Sequence, residues 1–87
     1  MKINVYTDPG HGWAAVKRDI LTAFGIADKV STYSYQRGQT VYLEEDCDLS
    51  LLLGALRERG ITPEFVERHT DRRSPIRSYH CYRKGAA

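Results

Sequence analysis

The sequence has few of the features that mark a specialised class of protein. It contains two cysteines, Cys47 and Cys81, which are too few for a disulfide scaffold. No apolar run approaches the roughly 20 residues that a membrane-spanning helix needs. The first residues alternate polar and apolar side chains and lack the apolar core of a secretion signal. We therefore expect a cytoplasmic protein whose cysteines stay reduced.

Nucleotide-binding and catalytic motifs are also missing. The glycine-rich stretch DPGHG, residues 8–12, matches neither the G-x-G-x-x-G pattern nor a Walker motif. A chain of 87 residues forms one domain with a modest core, which leaves little room for both a deep substrate cavity and a cofactor fold. We therefore expect no enzymatic activity and no cofactor.

Positive charge is concentrated near the C-terminal end. The composition is ordinary for a globular protein, at 41% hydrophobic and 28% charged residues, and the formal net charge is +2. Between Arg68 and Lys84, however, the chain has six basic residues and one acid, Asp71, so this stretch carries +5 and the rest carries −3. Such asymmetry is typical of proteins that bind a polyanion or an acidic protein surface.

The first third of the chain fits two arrangements. Lys2–Thr7 alternates apolar and polar residues like a half-buried strand, and DPGHG is rich in turn-forming residues. Gly12–Lys17 can then form the second strand of a hairpin, followed by a short helix over Arg18–Phe24. Alternatively, one helix begins at Trp13. No good N-cap residue precedes Trp13, which favours the hairpin.

Later segments predict a second hairpin, a helix and a last strand. Val30–Gln36 and Thr40–Glu45 are rich in β-branched and aromatic residues and are separated by the turn residues RGQ. A helix ending at Gly60 follows, and Thr62–His69 is the last predicted strand. The apolar stripe of that helix consists of leucines at helical spacing, Leu49, Leu52, Leu53 and Leu56.

These elements predict an α+β domain over residues 1–70, followed by a basic arm or tail, residues 71–87. The expected architecture is a small antiparallel sheet with two helices on one face. If a helix began at Trp13, the order would instead be βαββαβ, the ferredoxin-like arrangement.

Four acidic residues surround Cys47 just before the leucine-rich helix. Asp46 and Asp48 stand where a carboxylate can cap free amide hydrogens and complement the helix dipole, so we interpret them as capping residues. Glu44, Asp46 and Asp48 could alternatively bind Mg²⁺ or Ca²⁺, but the segment is not an EF-hand. Cys47 should be a poor thiolate among these negative charges.

A second metal hypothesis combines Asp8 with three histidines, His11, His69 and His80. An aspartate at the end of the first strand resembles the arrangement in some ferredoxin-like nucleases, so a metal-dependent nuclease is an alternative. No two of these residues have the spacing of paired zinc ligands, and we expect no metal site.

The stretch RHTDRRSPIRSYHCYRK, residues 68–84, gives the strongest functional signal. Arginine binds phosphate through two parallel hydrogen bonds, and tyrosine stacks on bases. Tyrosines on the predicted strands would add a stacking surface for single strands, although the RNP signatures of an RRM are missing. The same side chains would also suit an acidic protein surface. The candidate binding residues are Arg68, Arg72, Arg73, Arg77, Tyr79, Tyr82 and Arg83.

The segments DPGHGW, GIADKVSTYSYQRG, VYLEEDCDLS and HTDRRSPIRSY together resemble uncharacterised small proteins encoded in bacteriophage and prophage genomes. The resemblance spans nearly the whole chain, and it implies a setting in which small proteins bind and divert host machinery, including defence complexes. The leading hypothesis is a non-enzymatic accessory protein that binds a host protein or nucleoprotein complex, such as an anti-CRISPR inhibitor. The alternative is a module that binds single-stranded or structured nucleic acid.

Overall fold

The computed structural model describes residues 1–85, in which six strands, two α-helices and one 3-10 turn are formed. The helices are Arg18–Ala23 (α1) and Leu49–Glu58 (α2), and the 3-10 turn is Pro75–Ser78. No helix in this range is long and apolar enough to span a membrane. The strands are Lys2–Thr7 (β1), Gly12–Lys17 (β2), Tyr35–Arg37 (β3), Thr40–Glu44 (β4), Glu64–His69 (β5) and His80–Cys81 (β6).

The strands form one mixed sheet in the order β5-β1-β2-β4-β3-β6. The α+β class is confirmed, but the expectation of an antiparallel sheet is wrong for one pair, because β1 and β5 are parallel from Lys2 opposite Glu64 to Thr7 opposite His69. The reason is the connection. Strands β1 and β4 run in the same direction, because both are antiparallel to β2. Helix α2 then crosses over the sheet and returns the chain to the edge beside β1, so β5 enters in that same direction.

Both helices pack on one face of the sheet. Every second residue of the central strands points toward them, and these side chains share one buried cluster with the apolar sides of α1 and α2. The residues of this cluster that are fully buried include Ile3, Ala14, Leu21, Val41, Leu43, Leu52 and Leu56.

Residues 12–17 form a strand and not the beginning of a helix. The strand β2 pairs with β1 on one side and with β4 on the other, so the sheet uses the backbone groups that a helix would need. The first helix begins only at Arg18. The hairpin is therefore confirmed, and the βαββαβ order is not found, because the second element is a strand.

Both helices end at a glycine, as the sequence predicts. Gly25 and Gly60 have φ values of +71° and +66°, a left-handed conformation that glycine adopts without strain. The amide of Ile26 donates a hydrogen bond of 3.0 Å to the carbonyl of Leu21, and Ile61 makes the corresponding bond at the end of α2. These bonds satisfy carbonyls that the helix ends leave free.

The strand expected over Val30–Gln36 is shorter, because its first half is held by Asp48. The strand β3 begins only at Tyr35. The Asp48 carboxylate accepts hydrogen bonds from the amide of Ser31, at 3.1 Å, and from the hydroxyl groups of Ser31 and Ser34. The interpretation of Asp48 as a capping side chain is thus wrong: its buried carboxylate tethers a loop and makes no capping bond to α2.

The C-terminal segment crosses the face opposite the helices and then wraps around the β3 edge of the sheet. In its first part Ile76 is buried and Tyr79 lies against Tyr42. The strand β6 then adds to the sheet beside β3. The described residues 71–85 therefore pack against the domain instead of extending from it, whereas residues 86 and 87 lie outside the described range.

Tyr82 ends this path inside the core and is not on a binding surface. Its side chain is 4% exposed and joins the cluster beneath the helices. Its hydroxyl group donates a hydrogen bond to the carbonyl of Ala27, in the loop after α1. This position corrects the prediction that Tyr82 contacts a ligand, since no partner can reach a side chain that the fold itself encloses.

Replacing Tyr82 with alanine should lower the free energy of unfolding by about 3–5 kcal/mol, because it removes a large buried aromatic side chain. The matched change Tyr33→Ala affects a tyrosine that is 69% exposed. It should alter stability by less than about 0.5 kcal/mol. Urea denaturation followed by circular dichroism measures both values, and equal losses at the two positions would contradict the burial of Tyr82.

Candidate functional site

The sheet face opposite the helices is only partly covered by the C-terminal segment, and we call it the open face. Alternation along the strands places every second side chain there. Trp13 and Glu44 also point to this face but are buried beneath neighbouring groups. The more accessible residues of the open face are Lys2, Asn4, Tyr6, Ala15, Lys17, Tyr35, Arg37, Thr40, Tyr42, Glu64, Val66 and Arg68, of which Glu64, opposite Lys2, is acidic.

Three tyrosines form the centre of the open face. The rings of Tyr6 and Tyr42 lie 6.1 Å apart in an edge-to-face arrangement, and those of Tyr42 and Tyr79 lie 5.3 Å apart. All three are half-buried. Burial, reinforced by the two neighbouring tyrosines, raises the pKa of Tyr42, so the hydroxyl group stays protonated at neutral pH.

Two shallow grooves run along the sides of this aromatic cluster. One has a volume of about 460 Å³ and is lined by residues that include Lys2, Lys17 and Tyr42. The other has a volume of about 330 Å³ and is lined by residues that include Arg68 and Tyr79. Tyr6 and Tyr42 line both grooves and form the ridge between them.

Basic side chains surround the tyrosine cluster. Lys2, Lys17, Arg37 and Arg68 are exposed, and within residues 1–85 none of them forms an ion pair. The guanidinium group of Arg37 lies 5.2 Å from the centre of the Tyr79 ring, a favourable cation–π distance. Positive charge at the open face is therefore free to meet an anion.

The candidate residues of the C-terminal stretch are divided between different surroundings. Arg68 and Tyr79 line the second groove of the open face, while Arg72 and Arg73 are exposed in the loop after β5. Arg83 is exposed too, and its backbone is bound: its amide donates to Gln36 and its carbonyl accepts from Arg18. The structure therefore brings only part of the predicted set to one surface.

Arg77, whose side chain is 26% exposed, forms an ion pair with the buried carboxylate of Asp8. Its Nε lies 2.6 Å from Oδ2 of Asp8 and its Nη2 lies 2.9 Å from Oδ1. The amides of Gly10, His11 and Ser74 also donate to this carboxylate, each at 3.0 Å. The Arg77 guanidinium group and the backbone donors hold the pKa of Asp8 far below its usual range.

The histidine cluster considered from the sequence does not form. Asp8 is occupied by Arg77, and His80 lies on β6 opposite Gln36. His69 links Thr7 to Asp71, with Nδ1 2.8 Å from the Thr7 hydroxyl oxygen and Nε2 3.1 Å from Oδ1 of Asp71. The Asp71 carboxylate is 96% exposed, unlike the buried carboxylate that orients a catalytic histidine. These contacts therefore tie the ends of β1 and β5 together.

The acidic stretch is likewise divided. Glu44 is buried on the open-face side, whereas Glu45 is exposed, as alternation predicts. A hydrogen bond that the Cys47 thiol donates to the Glu44 carboxylate, together with burial and nearby negative charge, raises the pKa of this thiol. This agrees with the expectation that Cys47 is a poor thiolate. His11, Glu44 and Asp46, drawn from the two separate metal hypotheses, come together as three groups of metal-ligand type.

Sequence reasoning missed the basic residues Lys2, Lys17 and Arg37. Each is a single charge on a different strand, so no local cluster marks it, in contrast to the C-terminal arginines. Strand alternation combined with the sheet order would have placed them beside the tyrosines. That order could not be read from the sequence, because the two hairpins are joined by the pairing of β2 with β4, between residues more than 20 positions apart.

No protein-family model, no curated protein and no solved structure matches this chain. Its function is therefore inferred from the residues and their geometry.

Replacing Asp8 with asparagine should lower the melting temperature by roughly 5–10 °C, since Arg77 loses its charged partner. The matched change Asp71→Asn, at an exposed carboxylate, should shift it by roughly 1 °C or less. Because the pKa of Asp8 is lowered on folding, its stabilising effect is complete above pH ~4 and declines below it. Melting curves at neutral and acidic pH test this, and a gap between wild type and D8N that widens in acid would contradict it.

Proposed function

We propose that this chain is a non-enzymatic binding module whose open face takes a single-stranded segment of nucleic acid. The observation that carries the proposal is the cluster of Tyr6, Tyr42 and Tyr79 at the centre of the sheet, surrounded by unpaired basic side chains. Aromatic rings on a sheet and basic groups beside them are the two components of single-strand recognition.

Each part of the open face has a chemical role in this proposal. Bases stack against the exposed parts of the tyrosine rings, which accept any base because every base has a π-face. Lys2 and Lys17 beside one groove, and Arg68 beside the other, meet the phosphates. The single-stranded form is favoured because the grooves are shallow and the tyrosine ridge between them offers no protruding element to enter a duplex groove.

An acidic protein surface is the second candidate partner, and it preserves the hypothesis of a host protein or nucleoprotein target. The observation that favours it is the exposure of Arg72 and Arg73 in the loop after β5, apart from the tyrosine cluster. Arginine is a preferred anchor in protein interfaces. The host setting itself stays a prediction from the sequence resemblance.

Fluorescence anisotropy with labelled single-stranded DNA and RNA of about 12 nucleotides tests the main proposal, since sites of this class span about 4–16 nucleotides. The affinity should fall steeply between about 50 and 200 mM salt, because bound phosphates release counterions. A duplex of the same sequence should bind more weakly. An affinity that does not change with salt would contradict the proposal.

The double change Lys17→Ala/Arg68→Ala removes one proposed phosphate contact beside each groove. It should weaken binding and make the slope of log affinity against log salt shallower by about 1.4, two phosphate contacts at ~0.7 each. The control Lys29→Ala/Arg57→Ala removes the same charge from exposed positions in the loop after α1 and on α2. It should leave that slope nearly unchanged. Equal losses in the two double variants would show that only net charge matters and would overturn the assignment of the open face.

A third variant separates the two candidate partners. Arg72→Ala/Arg73→Ala leaves the tyrosine cluster and its basic neighbours in place, so it should retain most oligonucleotide binding. If no oligonucleotide binds the wild type, while an acidic protein is captured by wild type and not by this variant, the protein-docking function replaces the nucleic-acid function.

A further inference from the structure

Three side chains of metal-ligand type converge where the β1–β2 turn meets the connection from β4 to α2. They are His11, Glu44 and Asp46, and one ligand atom from each lies within 4.8 Å of the others. They come from two segments more than 30 positions apart in the chain, so the fold and not local sequence brings them together. The groups are one imidazole and two carboxylates.

The buried member of this cluster has an oxygen atom without a partner. The Glu44 side chain is 9% exposed, and its Oε2 accepts hydrogen bonds of 2.9 Å from the amides of Asp46 and Cys47. Its Oε1 is buried and has no hydrogen-bond partner, although buried carboxylate oxygens are normally satisfied. This oxygen points toward His11, whose Nδ1 is 3.5 Å away.

We propose that His11, Glu44 and Asp46 bind a divalent transition-metal ion of the zinc type. Two ligand atoms that share a tetrahedral zinc ion at about 2.0–2.1 Å lie about 3.3–3.4 Å from each other. The observed separation of 3.5 Å between His11 Nδ1 and Glu44 Oε1 is close to that value. An imidazole nitrogen selects against Mg²⁺ and Ca²⁺, which prefer oxygen ligands.

Surrounding contacts hold the ligands in position. Two backbone amides fix the Glu44 carboxylate through Oε2 and leave Oε1 available. Carboxylates that bind a metal ion are commonly held by hydrogen bonds of this kind. The amide of His11 donates to Asp8, which the ion pair with Arg77 keeps in place. The exposed His11 ring and the exposed Asp46 side chain are then free to adjust to the ion.

The site leaves one coordination position for water or an external ligand. Three protein ligands with an open fourth position distinguish reactive zinc sites from closed structural ones. The cluster borders a groove of about 270 Å³, whose other lining residues include Trp13, Tyr33 and Tyr35. An added ligand would therefore enter beside aromatic side chains.

Isothermal titration of the chelator-treated protein with ZnCl₂ tests the proposal, with MgCl₂ as the comparison. We expect one zinc ion per chain and binding to Mg²⁺ at least about tenfold weaker. Substitution with Co²⁺ should give the visible absorption of a tetrahedral site. Saturating zinc should also raise the melting temperature, because the ion binds the folded chain.

Two variants locate the ion. His11→Ala changes a side chain that is 46% exposed, so the protein should remain folded, and Glu44→Gln preserves the shape of the buried group. Each should weaken zinc binding by about tenfold or more. The control His80→Ala/Cys81→Ser removes another adjacent pair of potential ligands and should bind zinc like the wild type.

The outcomes are distinct. If the wild type binds no zinc, then His11 and Glu44 form only a contact between a histidine and an acid, and the proposal is wrong. It is equally wrong if both single variants bind as the wild type does, or if the control loses binding. Circular dichroism of each variant verifies that lost binding does not reflect lost folding. The oligonucleotide assays test the open face separately, so the metal proposal and the proposed function can fail independently.

Discussion

The ion pair between Asp8 and Arg77 is the interaction on which both the open face and the proposed metal site depend. A buried carboxylate is tolerated only when charge and hydrogen bonds compensate for its lost hydration, and Asp8 obtains both from partners distant in the chain. By binding Arg77 and the amide of Ser74, it fastens the C-terminal segment across the open face. By binding the amide of His11, it sets the turn between β1 and β2. One carboxylate thus fixes the boundary of the tyrosine cluster and one ligand of the proposed metal site.

The two faces of the sheet differ because the chain covers them by different means. Helices α1 and α2 bury the centre of one face, with Leu43, Leu52 and Leu56 inaccessible to solvent. The other face receives only the short segment Ser74–Tyr79, which cannot cover six strands. Half-buried tyrosines on the uncovered part have one surface packed and one surface available. That state suits a contact surface, since the rings are held in place without help from the ligand.

The sequence predicted those elements whose signals are local. The glycine ends of both helices, the hairpin over residues 2–17 and the leucine stripe of α2 depend on neighbours within a few positions, and the structure contains them. The direction of β5, the short β3 and the burial of Tyr82 depend on contacts across the chain, such as that of Tyr82 with Ala27. The concentration of basic residues near the C-terminal end is visible in the sequence. That this segment packs against the domain is not, because Asp8, which binds Arg77, lies 69 positions away.

The open face and the proposed metal site are two ends of one surface. Glu44 and Tyr42 are alternate residues of the same strand, so both point away from the helices. Trp13 lies opposite Glu44 on β2, and the guanidinium group of Arg77 is 5.4 Å from the centre of its indole ring. Glu44 and Asp46 lie near one corner of this surface, so a polyanion bound along Lys2, Lys17 and the tyrosines would meet repulsion there. A divalent ion there would offset that repulsion, so in the proposed function the charge at the metal site would limit the length of strand that the surface accepts.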